Sequence, residues 1–119
     1  MAAIGYTVQY LQEMTMLATW PALNSTDTTG VPFEAPDYSD MTVQISGTFG
    51  AGTLTMQGSN DGTTWFSLTD PQGNAIAKNS AGMECIEEAP RYVRPSLGSA
   101  NTTDSINVLL KATRGWRRA

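Results

Sequence analysis

The sequence predicts an all-β fold, a single-domain antiparallel β-sandwich or jelly roll of about eight strands. Apolar and polar residues alternate over several short segments, and this is the period of a half-buried strand. Turn-forming residues separate these segments at short intervals, as in sandwiches and jelly rolls. Threonine, which favours extended backbone, occurs 16 times among 119 residues. These three observations carry the prediction.

Length and composition favour one domain. A chain of 119 residues is too short for two domains of typical size. Charged residues make up 15% of the chain, below the usual quarter or so, while hydrophobic content is 40%. We therefore predict a sandwich domain over residues 1–112, followed by a basic tail at 113–119.

The clearest strand pattern lies in residues 41–68. Apolar residues alternate with polar ones from Met41 to Ile45, and again from Leu54 to Met56. A glycine-rich turn separates the two runs. The pattern predicts that these runs pair as neighbours and begin an antiparallel meander.

A third strand of this meander is expected at residues 63–68. The preceding sequence Ser-Asn-Asp-Gly at 59–62 favours a tight turn. The strand would bring Trp65 into the core beside Phe66. A meander with one apolar face needs a second layer to cover it, which the rest of the chain supplies.

Further strands are predicted outside the meander, and the one at 105–112 alternates strongly, with Ile106, Val108 and Leu110 facing inward. These strands are expected at residues 6–10, 74–78, 83–88, 91–97 and 105–112. Residues 11–17 also fit a short helix, and residues 24–40 predict a long irregular surface connection. Pro95 lacks a backbone N–H, so the strand at 91–97 is expected at a sheet edge or to end there.

The residue inventory argues against enzymatic chemistry. The chain has no histidine and one cysteine, Cys85, so it has no Ser-His-Asp set, Cys-His pair or internal disulfide. We expect Cys85 to be a buried or half-buried small hydrophobic residue. No catalytic, cofactor or metal site is predicted. The sequence shows no secretory signal or membrane-spanning run, so we expect a soluble protein made in a cytoplasm.

Charge is divided unevenly along the chain. Residues 1–77 contain seven acids and no Lys or Arg, giving −7. Residues 78–119 contain seven cations and four acids, giving +3. Such an imbalance favours contacts between copies or with a larger partner. We therefore expect a homo-oligomer, a dimer or a trimer.

The C-terminal tail is the main candidate for a protein interface. Trp and Arg are the residue types favoured at binding hot spots. The candidate interface residues are Trp116, Arg114, Arg117, Arg118 and Trp20. The alternative for Trp20 is a plug at the edge of the core. We interpret the tail as a docking arm with Trp116 as its anchor. A frayed, solvated chain end is the alternative. Nucleic acid is a less favoured partner because the net charge is −4.

Three motifs within residues 41–112 resemble small virion proteins of tailed bacteriophages. They are SNDGTTW at 59–65, DPQGN at 70–74 and RYVRP at 91–95. The resemblance is to capsid-decorating or cement proteins and to related head or tail accessory proteins. It implies a structural role on the outer capsid surface, synthesis in a bacterial host, and the major capsid protein as partner.

A second resemblance is to discoidin-like (F5/8 type C) carbohydrate-binding domains. It rests on the GSNDG-x-x-W turn at 58–65 and the RYVR strand at 91–94. Those domains are jelly rolls, and the likeness implies a glycan ligand. This chain is shorter and has no counterpart of the N-terminal half that carries their binding loops. Their binding residues are therefore not transferred to this sequence.

Overall fold

Within residues 3–12 and 14–114, which the computed structural model describes, the chain forms ten β-strands. The strands are β1 (Thr7–Gln12), β2 (Thr15–Leu23), β3 (Phe33–Glu34), β4 (Tyr38–Thr48), β5 (Thr53–Ser59), β6 (Phe66–Ser67), β7 (Ala77–Lys78), β8 (Gly82–Ile86), β9 (Tyr92–Gly98) and β10 (Ser105–Arg114). Residues 11–17, which also fitted a helix, belong to the β1–β2 hairpin wherever they are described. The predicted all-β class is therefore confirmed.

The strands form two antiparallel sheets. One has the order β1-β2-β10-β4-β8, and the other has the order β3-β9-β5-β6, with β7 also paired to β5. Without β1 and β7, the chain places four strands in each sheet and changes sheet at every step except between β5 and β6. This is the connectivity of a jelly roll. The count exceeds the predicted eight because β2 and β3 were not among the predicted strands.

The core lies between the sheets and follows the predicted alternation. On β4, Met41, Val43 and Ile45 are buried, and Leu54 and Met56 of β5 face them from the other sheet. On β10, the predicted inward residues are likewise buried: Ile106, Val108 and Leu110. Period-two alternation thus identified the inner faces of β4, β5 and β10 correctly.

The predicted meander is confirmed for its second pair, because β5 and β6 are antiparallel neighbours, and wrong for its first, because β4 and β5 lie in different sheets. The glycine-rich loop between them crosses from one sheet to the other. Its amides are held by the buried carboxylate of Asp104, which accepts hydrogen bonds from Gly50 N at 2.6 Å and Gly52 N at 3.0 Å. A Cβ on Gly52 would lie 2.7 Å from a Leu97 methyl carbon and 2.9 Å from the Asp104 carboxylate, so only glycine fits there.

The expectation that Pro95 marks an edge strand or a strand end is also wrong. Pro95 lies within β9, which pairs with β5 along its length and with β3 only at its start. The carbonyl of Pro95 accepts a hydrogen bond from Gly30 N at 3.0 Å. Its nitrogen therefore faces the loop before β3, where no ladder bond is needed, and the proline is tolerated in a central strand.

Two segment boundaries differ from the prediction. The connection at residues 24–40 contains β3 and the first residues of β4. β10 continues two residues past Ala112, with Thr113 opposite Asp40 and Arg114 opposite Tyr38. Thr113 and Arg114 are therefore strand residues rather than the beginning of an unpatterned tail. Residues 115–119 lie outside the described part of the chain.

Candidate functional site

The outward side of the five-stranded sheet is a broad surface with few charges. We call it the outer face. It consists of the residues that alternate with the buried ones: Thr7, Gln9, Thr15, Leu17, Thr19, Asp40, Thr42, Gln44, Ser46, Met83, Cys85, Asn107, Leu109, Lys111 and Thr113. One row runs Thr7–Thr19–Leu109–Gln44–Met83 across all five strands. Among these described residues only Asp40 and Lys111 carry a charge.

Cys85 belongs to this face, which corrects the expectation that it is at least half-buried. It is exposed on β8 and lies opposite Thr42. Met83, two residues earlier, has 61% of its surface exposed. Along β8, half-buried Gly82 and Glu84 alternate with exposed Met83 and Cys85, and buried Ile86 ends the strand.

A groove of about 470 Å³ opens beside the other sheet. It is lined by residues 58–61, Thr64, residues 66–68 and residues 88–90. The SNDG turn therefore forms one wall, β6 the second, and the connection from β8 to β9 the third. Phe66 contributes an aromatic ring that is 69% exposed, while Leu68 is buried. The groove combines an open aromatic surface with polar groups, as small-ligand sites do.

Two carboxylates on the groove wall are held in the ionised form. Backbone N–H groups of Thr64 and Thr63 and the hydroxyl of Ser59 donate to Asp61 and lower its pKa to about 2. Burial raises the pKa of Glu88, but hydrogen bonds from the Thr69 hydroxyl and amide outweigh it and lower the pKa below its ordinary value. Both carboxylates therefore carry charge at neutral pH.

Trp65 is not in the core. It precedes β6, is half-buried, and lies under the Arg94 guanidinium, whose carbon is 4.1 Å from the ring centroid. Arg94 also donates from Nε to Gln57 at 2.9 Å. The ring and the guanidinium thus form a cation–π pair on the outward side of β9. The predicted third strand is reduced to β6, a two-residue strand that begins after this tryptophan.

Trp20 was a candidate interface residue, and the structure contradicts this assignment. Its side chain has 0% exposure and sits in the core. The indole Nε1 donates to the Val31 carbonyl at 2.9 Å, and the Tyr6 ring packs edge-on at 5.6 Å between centroids. Burial with a satisfied N–H makes Trp20 a core residue, so it is removed from the candidate interface.

Arg114 is the one basic candidate within the described part of the chain. It is exposed, and its guanidinium carbon lies 5.4 Å from the Tyr38 ring centroid. A hydrogen bond and electrostatic attraction to Tyr38 raise the pKa of Arg114 above its ordinary value, with a smaller contribution from Asp37. The other three tail candidates, Trp116, Arg117 and Arg118, lie outside the described residues.

The alternation pattern did not predict that several apolar side chains are exposed. Tyr10 is 74% exposed, and Phe66 and Met83 are exposed to a similar extent. Alternation shows which side of a strand an apolar residue takes, but it does not show where the covering sheet stops. Tyr10 and Phe66 occupy inward-facing positions at sheet edges, beyond the cover of the opposite sheet.

No group of three or more Cys, Asp or Glu side chains capable of holding a metal occurs in residues 3–12 and 14–114. In the same residues, no helix is long and apolar enough to cross a lipid bilayer. Comparison with known protein families, with curated proteins and with solved structures found no match. The candidate sites are therefore the outer face and the groove, argued from geometry alone.

Proposed function

We propose that this chain is a structural virion protein of a tailed bacteriophage, made in the bacterial cytoplasm and bound to the outer capsid surface as a decoration or cement protein. It acts without catalysis, and its partners are the major capsid protein and further copies of itself. The proposal combines the resemblance of the 59–65, 70–74 and 91–95 motifs with the outer face.

The outer face is the observation that carries the proposal. Interface centres are depleted of charged residues, because burying an unpaired charge is costly. A sheet surface five strands wide, with Asp40 and Lys111 as its only charges among the described residues, meets that requirement. Its threonine and glutamine side chains supply hydrogen-bonding groups around Leu17, Leu109 and Met83.

Such a protein stabilises a shell by adding buried area across the seams between capsid subunits. An icosahedral shell presents the same seam many times, so each copy needs only a modest interface. A preformed sheet surface loses less conformational entropy on binding than a segment that must first become ordered.

Co-sedimentation with shells assembled from the major capsid protein of the same genome tests the proposal. We expect the wild-type protein to pellet with the shells at a fixed ratio. Gln44→Glu should weaken binding by more than about tenfold, because it buries a charge within the outer face, next to the central Leu109. Gln57→Glu is the matched control: the same isosteric change on the outward side of β5, next to Arg94.

Wild-type protein that stays in the supernatant at saturating shell concentration would contradict capsid binding. Equal binding by the Gln44→Glu and Gln57→Glu variants would show that the outer face is not the contact. Circular dichroism of both variants checks that the fold is retained.

The groove favours a second candidate function, binding of a glycan. An exposed aromatic ring stacks on the apolar side of a sugar, and fixed carboxylates accept hydrogen bonds from its hydroxyl groups. Phe66, Asp61 and Glu88 supply these groups around one opening. Under this alternative the chain is a discoidin-like module.

A glycan array separates the two candidate functions. Retention of the wild-type protein on defined glycans, lost with Phe66→Ala and kept with Met83→Ala, would favour the glycan module. Met83 is a suitable control because its 61% exposure nearly matches the 69% of Phe66 and it lies outside the groove. The capsid proposal predicts no glycan-specific retention.

A further inference from the structure

The strand β1 leaves one side of its backbone unpaired within the described chain. It forms the edge of the five-stranded sheet and pairs only with β2. In an antiparallel ladder, successive residues direct their N–H and C=O groups to alternate sides. About half of the backbone groups of β1 therefore point away from β2 and are available to another strand.

The other three sheet edges carry the usual protection against pairing. β3 and β6 are two residues long. β8 carries Glu84, whose carboxylate is ion-paired with Lys78 at 3.1 Å. Short strands and charges are common means of blocking an edge. β1 has six residues, TVQYLQ, with no charge and no proline, and its pairing with β2 is regular from Thr7 to Tyr10.

The side chains of β1 are exposed on both sides of the sheet. Val8 and Tyr10 lie opposite buried Ala18 and Met16, so they point to the inner side, yet they are 39% and 74% exposed. Gln9 points to the outer face, opposite Leu17. An exposed pair of apolar side chains along a free backbone edge marks a site for strand addition.

We propose that two copies of this chain pair through β1, antiparallel about a two-fold axis at Gln9. In this register Val8 lies opposite the partner's Tyr10 on the inner side, twice by symmetry, and Thr7 lies opposite the partner's Leu11. Apolar cross-strand pairs of this kind stabilise a sheet. The absence of charge in Thr7–Gln12 means that no like charges meet at the seam.

The two five-stranded sheets then form one ten-stranded sheet, and the two outer faces become continuous. The β1–β1 dimer specifies the self-association that is part of the proposed function. The dimer proposal rests on the free edge of β1 alone and does not require capsid binding. It is tested on purified protein without shells, so its failure is separate from failure of the capsid proposal.

Sedimentation velocity gives the first test. We expect a wild-type dimer, with Tyr10→Lys raising the dimer dissociation constant by more than about tenfold. Met83→Lys, an equally drastic change on the exposed β8, should leave the constant unchanged. A monomeric wild-type protein at high concentration would overturn the proposal, as would a Tyr10→Lys variant that dimerises as tightly as wild type.

Cross-linking tests the register. In a Cys85→Ser background, Gln9→Cys should form a dimer rapidly with a short bis-maleimide, because the two cysteines meet at the two-fold axis. Thr7→Cys is the matched control on the same strand and the same side of the sheet, and its two copies are offset by four residues. Equal cross-linking of both variants, or none with Gln9→Cys, would overturn the register.

Discussion

At the residue scale, Asp104 joins two loops at one end of the sandwich. Its carboxylate accepts hydrogen bonds from Gly50 and Gly52 in the loop that crosses between the sheets, and from Asn101 N at 2.9 Å just before β10. Burial raises the pKa of Asp104, but these backbone donors together outweigh it and hold the pKa below its ordinary value of 3.8. The ionised carboxylate is therefore the form that the fold stabilises.

Asp104→Asn should lower the melting temperature by several degrees at pH 7. The amide supplies one acceptor where the carboxylate supplies two, and it turns an N–H toward backbone donors. A lowered folded-state pKa contributes stability above pH 3.8, which is lost as the pH falls through the folded value. The difference between wild type and variant should therefore shrink below pH 3.8. Thermal unfolding followed by circular dichroism measures it, and a difference that stays constant with pH would refute this role.

Gly30→Ala should destabilise the fold by about 1–3 kcal/mol. A Cβ at this position would lie 2.6 Å from Pro95 Cδ and 2.6 Å from Trp20 Cδ1, and neither ring belongs to a flexible chain end. Gly5→Ala is the control, because no atom lies within 4 Å of its added Cβ. Urea denaturation gives the free energy of unfolding of both variants. Equal values would contradict the prediction, because they would show that Trp20 and Pro95 move to accommodate the added methyl group.

At the element scale, the last residues of β10 separate the fold from the predicted docking arm. Truncation after Arg114 should leave the melting temperature unchanged, because every described pairing of β10 is kept. Truncation after Ala112 should lower it, since it removes the pairing of Thr113 with Thr15 and that of Arg114 with Tyr38. The affinity of the variant truncated after Arg114 for capsid shells tests whether the tail is a docking arm. An affinity equal to that of the wild type at low salt would contradict the docking-arm prediction.

The alternation of apolar and polar residues predicted where the strands lie better than it predicted which strands pair. β10, β4 and β5 could be recognised because alternation depends only on which residues face the core. The partner of β4 could not be recognised, because a glycine-rich loop fits a hairpin and a crossing between sheets equally well. The deciding contact, Asp104 with Gly50 and Gly52, joins residues more than fifty positions apart.

The candidate sites were less predictable than the strands. Trp20 was predicted both as a plug at the edge of the core and as an interface residue, because a large ring suits either position. The outer face follows from sheet order, which places the β1–β2 hairpin beside three strands that are distant in sequence. Tyr10 and Phe66 are exposed because the opposite sheet ends before them, and this depends on the relative width of the two sheets.

At the scale of the whole molecule, the fold interleaves the two halves of the chain. β9 and β10, from the basic half, lie beside β5, β2 and β4 from the acidic half. Arg91 bridges to Glu34 at 3.2 Å across this division. Exposed pairs of this kind contribute about 0–1 kcal/mol. The acidic and basic halves of the sequence, with net charges of −7 and +3, therefore contact each other within one copy. The proposed dimer does not depend on this charge difference, because its seam is formed by the uncharged strand β1.

Cryo-electron microscopy of shells saturated with the purified protein tests capsid binding most directly. The account predicts added density on the outer surface at symmetry-equivalent seams, into which the jelly roll fits with the outer face of its five-stranded sheet against the capsid protein. Unchanged shell density at saturating protein would contradict the account. Density that places the groove, rather than the outer face, against the shell would contradict the proposed contact.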